Sequence, residues 1–139
     1  MKKVIYATIG IFVVWSIWDY LIHGVLLQDL YDQTKNLWRP MEEIRSNWWM
    51  YLISLTCAFI FSWLWCCNTG KDHKTIKGGA IFGTKIGLIF GLSMGFGMFA
   101  VMPIPLSLAT AWFFSSLIAY ILAGLIAASI IKDCHCLKK

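Results

Sequence analysis

Charged residues are scarce in this chain of 139 residues, at 14% of the total. There is no Asp, Glu, Lys or Arg from Ser46 to Gly70, and none from Ile86 to Ile131. A soluble domain carries about 25% charged residues, so this scarcity argues against a soluble protein. Because a membrane-spanning helix needs about 20 mostly apolar residues, the second stretch is long enough for one span and most of another.

The sequence also lacks the residue arrangements that catalysis and nucleic-acid binding require. It has no nucleophile–base arrangement, no phosphate-binding loop and no carboxylate pair at catalytic spacing. The formal charge of +5 comes from basic residues in short segments near the helix ends, which leaves no basic groove with stacking aromatic side chains. We therefore predict that the protein is not an enzyme, has no cofactor and does not bind nucleic acid.

What the chain does have is four apolar stretches. They predict an all-α fold in which residues 1–139 form one membrane domain with four transmembrane helices, over about residues 4–27, 48–67, 79–102 and 106–131. Residues 28–47 form an outer loop. The apolar stretch after Lys2 and Lys3 is too long for a secretory signal and lacks a small-x-small cleavage site, so we interpret it as the first span.

Basic residues set the expected orientation of these spans. Lysines precede the first span, lie between the second and third, and follow the fourth, whereas the third loop is uncharged. The positive-inside rule then places both termini in the cytoplasm. Trp48 and Trp49 at one end of the second span, and Trp63 and Trp65 at the other, are typical of the two membrane interfaces.

Glycine recurs at every fourth residue of the third span, at Gly79, Gly83, Gly87, Gly91 and Gly95. The fourth span has small residues at the same spacing, namely Ser107, Ala111, Ser115, Ala119, Ala123 and Ala127. Each glycine costs roughly 1 kcal/mol in a soluble helix, but in lipid small residues let two helix backbones approach closely. Since only Pro103–Pro105 separates the two spans, we predict that these two stripes pack against each other.

The four-residue spacing also limits how one partner can cover the glycines. A step of four residues advances about 400° around a helix, so successive glycines drift by about 40°. Either the two helices cross right-handed, or the two ends of the glycine series meet different neighbours. An oligomer interface or a pore is the functional alternative to packing within one hairpin. A second small-residue line, Ser116, Gly124 and Ala128, predicts another close-packing face for the first span or another protomer.

Asp19 and His23 are the candidate polar site inside the membrane. They lie four residues apart in the first span and share one helix face with Trp15. A charge at this depth costs at least about 2.5 kcal/mol, so such residues normally face the bundle interior beside a partner. His23 is the first candidate for the partner of Asp19. Two interpretations stay open: a structural network, or a proton, ion or metal site.

Lys85 lies about six residues inside the predicted third span, near its inner end. Its long stem is expected to carry the ammonium group to the cytoplasmic interface. A salt bridge with Asp19 is not expected, because the two residues are predicted to lie on different sides of the membrane midplane.

The cysteines form a second polar group at the inner membrane surface. The candidate metal ligands there are Cys66, Cys67, Cys134, His135 and Cys136, since thiolates and imidazole bind soft metals. Neither segment has the C-x-x-C spacing of zinc or iron–sulfur sites. Cytoplasmic thiols usually stay reduced, so we expect ordinary juxtamembrane cysteines and no disulfide framework.

The segment from Trp15 to Glu43, WSIWDYLIHGVLLQDLYDQTKNLWRPMEE, resembles an uncharacterised family of small four-helix bacterial membrane proteins. The similar features are an aromatic-rich first span ending in H-G-V-L-L, a tyrosine in the outer loop and W-R-P before the second span. The resemblance implies the four-helix fold and a multi-pass location in the bacterial inner membrane. It implies no activity, but it directs attention to His23, Tyr31, Trp38 and Arg39.

Two functional hypotheses follow. The first is a non-enzymatic integral membrane protein, either an accessory or scaffold subunit of a membrane assembly or a self-associating bundle. Its partners would be the lipid bilayer and other membrane protein subunits or further copies of itself. The alternative is a small ion, proton or metal transporter that uses Asp19 and His23.

Overall fold

Helices form the regular structure of residues 1–67 and 75–132, which are the residues that this computed structural model describes, apart from the side chains of Met41 and Arg45. Four of these helices are long and apolar enough to cross a membrane: α1 (Lys2–Leu26), α2 (Trp48–Cys67), α3 (Ile76–Val101) and α4 (Leu106–Ile130). The predicted all-α class with four such helices is confirmed.

Three short helices connect α1 to α2, at Gln28–Gln33, Lys35–Leu37 and Met41–Arg45. We call residues 28–47 the connecting segment, and the bundle end that carries it the loop end. The opposite end, which holds the N-terminus, is the terminal end. Prolines mark the breaks, because the residue before a proline is disfavoured in a helix: Pro40 precedes the third short helix, and Pro105 precedes α4.

Helix α3 begins at Ile76, three residues before the predicted start at Gly79. Thr75 caps this end, since its hydroxyl accepts a hydrogen bond from Gly78 N at 2.9 Å. Lys85 therefore lies nine residues after the first residue of α3, roughly 13 Å along the helix. This position is deeper in the apolar helix than the sequence predicts.

All five glycines of α3 lie against α4. A Cβ at Gly79 or Gly83 would overlap a backbone carbonyl oxygen of α4, and one at Gly91 would lie 3.0 Å from Phe113 O. The nearest atoms of α4 along this contact belong to Ala109, Phe113, Leu117, Tyr120, Ile121, Gly124 and Ala128. The glycine backbone lies so close to the backbone of α4 that the contact has no room for a methyl group.

These neighbours are not the small residues predicted to face the glycines. Gly124 and Ala128 belong to the second small-residue line, which was predicted to face the first span or another protomer.

The small residues predicted to face the glycines lie against α1 instead. Trp15 and Trp18 of α1 donate hydrogen bonds to Ala119 O and Ser115 O, at 2.9 and 3.2 Å. Ala123 and Ala127 are fully buried in the same apolar core as Val4, Ala7 and Ile11 of α1, and Ala111 is half-buried near the loop end. The prediction fails because a glycine surface has no side chains of its own. It can therefore pack beside large residues such as Leu117 and Phe113.

A π-helical turn at Leu92–Gly97 explains how one partner covers the whole glycine series. Hydrogen bonds in a π-helix run from i to i+5, so one turn takes in more than four residues. The four residues from Gly91 to Gly95 therefore make less than one full turn. This rotates Gly95 around the helix in the direction opposite to the drift of the first four glycines. Gly95 still lies against α4, beside Ala109 O.

The bundle is well packed towards the terminal end and open towards the loop end. Helix α1 buries five side chains between Val4 and Trp15, but none between Ser16 and Leu26. Helix α2 buries none between Trp48 and Cys57, and its first buried residue is Ala58. The loop-end halves of α1 and α2 therefore carry apolar surface that the described part of this chain does not cover.

The cysteines differ from the expectation of reduced thiols. Cys66 and Cys67 are both disulfide-bonded, and Cys57 is a free, half-buried thiol. We expected reduced thiols because the cytoplasm is reducing. That argument does not take into account which cysteines the fold brings together. As disulfides, Cys66 and Cys67 offer no thiolate to a metal. The other candidates, Cys134, His135 and Cys136, lie outside the described residues.

Candidate functional site

A pocket of about 150 Å³ lies in the loop-end half of the bundle and is lined by α1 and α4 alone. Its lining combines a carboxylate, an imidazole, hydroxyl groups and aromatic rings: Trp15, Asp19, His23, Ser115, Ser116, Ala119 and Tyr120. Asp19, His23 and Trp15 are brought together here by their spacing of four residues on α1. Ser116 and Tyr120 complete the pocket from α4, and no pattern in the sequence links them to Asp19.

Asp19 is exposed at this pocket. In residues 1–67 and 75–132, the structure shows no hydrogen bond or ion pair to its carboxylate. It lies seven residues from the end of α1 at Leu26, roughly 10 Å along the helix. The predicted partner His23 lines the same pocket, but no hydrogen bond joins the two side chains.

The indole donors around the pocket are already engaged by α4. The indole N–H groups of Trp15 and Trp18 already donate to Ala119 O and Ser115 O. The Trp18 N–H also lies 3.1 Å from Ser115 Oγ. Within the described residues, the hydroxyls of Ser116 and Tyr120 have no hydrogen-bond partner. Each hydroxyl can donate or accept, so the carboxylate of Asp19 is the group that favours a cationic donor over an anion.

Aromatic rings fill the bundle on the terminal side of the pocket. The Trp15 and Tyr120 rings meet edge to face, with centroids 5.0 Å apart, and both contact Phe61 of α2. Phe61 lies 5.2 Å from Phe82 of α3, which in turn lies 5.5 Å from Trp65. The bundle interior next to the pocket is therefore apolar and aromatic.

His23 pairs with the connecting segment instead of with Asp19. Its Nδ1 lies 2.6 Å from the hydroxyl of Tyr31, which also accepts a hydrogen bond from Trp112 Nε1 of α4 at 2.8 Å. Both ring contacts of Trp38, with Tyr31 and with Trp112, are edge to face at 5.5 and 5.8 Å. The connecting segment is therefore fixed to α1 and α4 through one hydroxyl and the ring contacts of Tyr31, Trp38 and Trp112.

The environment of Tyr31 changes its acidity. Burial disfavours the phenolate and is the main reason why the pKa of Tyr31 rises from 10.0 to about 12. The hydrogen bond from Trp112 lowers the pKa, and the Asp19 carboxylate raises it further. The hydroxyl therefore stays protonated, and able to donate to His23, throughout the neutral range.

Three of the four residues that the family resemblance singled out come together here: His23, Tyr31 and Trp38. The fourth, Arg39, is exposed and lies 4.0 Å from Glu43 on the surface of the connecting segment. Trp112 was missed, because it is separated from Tyr31 by 81 residues and carries no motif.

Lys85 is a second charge inside the apolar helices. It is exposed on α3, and the described part of the chain shows no ion pair for it. The neighbouring glycines, Gly83 and Gly87, lie against Tyr120 and Leu117 of α4. Since Asp19 lines a pocket with Ser116 and Tyr120, Asp19 and Lys85 lie level with the same two turns of α4. Along their own helices the two residues still lie on opposite sides of the centre, since Asp19 follows the middle of α1 and Lys85 precedes the middle of α3.

No group of three or more His, Cys, Asp or Glu side chains suited to a metal ion occurs in residues 1–67 and 75–132. Asp19 and His23 alone provide two such ligands at the pocket. Structural zinc sites use four protein ligands, and catalytic zinc sites use three.

The sequence matches no protein-family model, and comparison with curated proteins and with solved structures finds no match.

Proposed function

We propose that this protein is a non-enzymatic integral membrane protein that self-associates in the bilayer and acts as a scaffold or accessory subunit there. The observation that carries the proposal is a pair of opposite charges, Asp19 and Lys85. Both are exposed on apolar helices, beside the same two turns of α4, without an ion-pair partner in the described part of the chain. The bacterial inner membrane, with both termini in the cytoplasm, is the location proposed from the lysine pattern and the family resemblance.

The cost of exposing these charges to lipid supports self-association. A single charged side chain near the middle of a membrane helix costs at least about 2.5 kcal/mol on insertion scales, and such residues normally pair with one another. His23 forms no hydrogen bond or ion pair with Asp19, and its Nδ1 contacts the Tyr31 hydroxyl instead. A second copy of the chain in the same orientation brings a Lys85 to the depth of Asp19.

The surface around Asp19 is open to lipid or to a protein neighbour. The loop-end halves of α1 and α2 bury no side chain of their own between Ser16 and Leu26 or between Trp48 and Cys57. Exposed large apolar residues cover these halves, among them Ile17, Leu52 and Ile53. Contiguous apolar surface of this kind is typical of a surface that meets lipid or another membrane helix.

Self-association can be tested by Förster transfer between donor- and acceptor-labelled copies in liposomes, over a range of protein-to-lipid ratios. We expect saturable transfer for the wild type and a loss of about tenfold or more in association for Asp19→Asn, since a charge-assisted contact contributes about 1.5–3 kcal/mol. The matched control is Asp29→Asn, which removes a carboxylate from the exposed surface of the connecting segment. Transfer that only follows random proximity at every ratio would contradict the proposal.

Transport of a proton, ion or metal through Asp19 and His23 is the second candidate. The pocket favours it by placing both titratable side chains at one opening, whereas the rings of Trp15, Tyr120 and Phe61 block it on the terminal side. Liposomes with a pH-sensitive dye inside decide between the two. The scaffold account predicts proton leakage no faster than in protein-free liposomes. Flux that is lost in Asp19→Asn would favour transport.

A further inference from the structure

We infer that the pocket at Asp19 is the binding site for the Lys85 ammonium group of a second copy of this chain. This inference rests on the proposed self-association and specifies the contact that holds two copies together. The pocket and the lysine belong to different parts of the surface: the pocket lies between α1 and α4, and Lys85 lies on α3. No ion pair joins them within the described part of one chain.

The chemistry of the pocket fits an ammonium group. An ammonium has three N–H donors and no acceptor, and the pocket offers three groups that can accept and have no described partner: the Asp19 carboxylate and the hydroxyls of Ser116 and Tyr120. An anion would meet the carboxylate and no available indole donor, since the N–H groups of Trp15 and Trp18 are engaged by α4.

The size of the pocket fits the end of a lysine side chain. A volume of about 150 Å³ corresponds to roughly five water molecules at about 30 Å³ each. The ammonium with part of its aliphatic stem fills such a space, and the rings of Trp15 and Tyr120 provide apolar surface for the stem. A planar guanidinium group, which pairs best with a carboxylate through two parallel hydrogen bonds, uses the separate hydroxyls less well.

The position of Lys85 within the bundle also fits. Gly83 and Gly87 on either side of it lie against the Leu117–Tyr120 turn of α4, and Tyr120 lines the pocket. Two copies with the same orientation in a bilayer therefore bring the lysine of one and the pocket of the other to one level. The other exposed lysines of the described helices, such as Lys77 near the start of α3, lie about two turns closer to the terminal end.

The inference is tested by reversing the two charges in liposomes and measuring association by Förster transfer. We expect Asp19→Lys alone and Lys85→Asp alone each to weaken association about tenfold or more, because each places like charges together. The double variant Asp19→Lys/Lys85→Asp should regain association, and so should a mixture of the two single variants. Asp29→Lys and Lys77→Asp are the matched controls and should associate as the wild type does.

Milder variants keep the test valid if a charge reversal prevents folding. Lys85→Gln and Ser116→Ala should each weaken association, by about tenfold and about two- to tenfold, with unchanged circular dichroism and tryptophan fluorescence. A wild type that self-associates while Lys85→Gln has no effect would overturn this contact and leave self-association intact. A wild type that stays monomeric at every protein-to-lipid ratio would overturn both.

Discussion

The Tyr31 hydroxyl lies 2.6 Å from His23 Nδ1 and joins the connecting segment to the loop end of α1. Trp112 of α4 donates to the same oxygen at 2.8 Å. Because an indole N–H can only donate, the hydroxyl accepts from Trp112, and its own proton remains available to a neutral His23 Nδ1. His23 lies in the π-helical turn Ile22–Leu26, a wide turn of the kind that often marks a functional site.

Tyr31→Phe should loosen the connecting segment. The change removes the hydroxyl from His23 and from Trp112 and leaves two half-buried polar groups without a partner, which costs about 1–3 kcal/mol. We expect a lower Tm and faster amide hydrogen exchange over residues 28–37. Tyr51→Phe is the control, since Tyr51 is an exposed residue of α2. Equal Tm values for the two variants would show that the Tyr31 contacts do not hold the segment.

The raised pKa of Tyr31 predicts an alkaline stability loss. The neutral phenol is favoured in the folded protein, where the pKa is about 12, relative to the unfolded chain at 10.0. The contribution of neutral Tyr31 to the free energy of unfolding is fully present below pH 10 and is lost as the pH rises from about 10 to about 12. Thermal unfolding of the wild type should therefore weaken more steeply over this range than that of Tyr31→Phe. If the Tm of the two proteins changed with pH in the same way, the raised pKa of Tyr31 would be contradicted.

Gly83→Ala should destabilise the pair of helices α3 and α4. A methyl group there would overlap the carbonyl oxygen of Tyr120, so the helices have to separate at a cost of about 1–3 kcal/mol. Gly97→Ala is the matched control in the same helix, because the nearest atom to its Cβ is Leu92 O at 3.8 Å. We expect a lower Tm for the first variant and an unchanged or higher Tm for the second. The reverse order would exclude the observed contact.

Ser62→Ala should not destabilise the bundle. The Ser62 hydroxyl is fully buried on α2, and within the described residues it has no hydrogen-bond partner. Removing a buried hydroxyl that makes no hydrogen bond leaves stability unchanged or raises it by about 1 kcal/mol. Chemical unfolding in detergent micelles provides the comparison with the wild type. A clear loss of stability would mean that the hydroxyl has a partner in the membrane.

The sequence predicts the helices well, because apolar length alone determines where a chain of this composition can form long helices. The uncharged stretches from Ser46 and from Ile86 contain α2, most of α3 and the whole of α4. The short connection at Pro103–Pro105 correctly makes α3 and α4 neighbours, and their glycine contact follows from that.

Other features depend on register, which composition does not determine. The π-helical turn at Leu92–Gly97 shifts the face of α3, and large residues of α4 rather than its small stripe meet the glycines. The network at Tyr31 depends on Trp112, a contact between distant parts of the chain with no local signal. Asp19 and His23 are correctly assigned to one helix face, but Ser116 and Tyr120 join them through the packing of α4 on α1.

A carbodiimide that partitions into the bilayer tests the contact between copies most directly, since it joins a carboxylate to an amine only where the two touch. Equal amounts of light and ¹⁵N-labelled protein are mixed in liposomes, treated with the reagent and digested for mass spectrometry. The account predicts an amide between Asp19 and Lys85, with half of the linked peptides carrying one light and one heavy partner. Its absence from a protein that self-associates, or its occurrence only within one copy, would contradict the account.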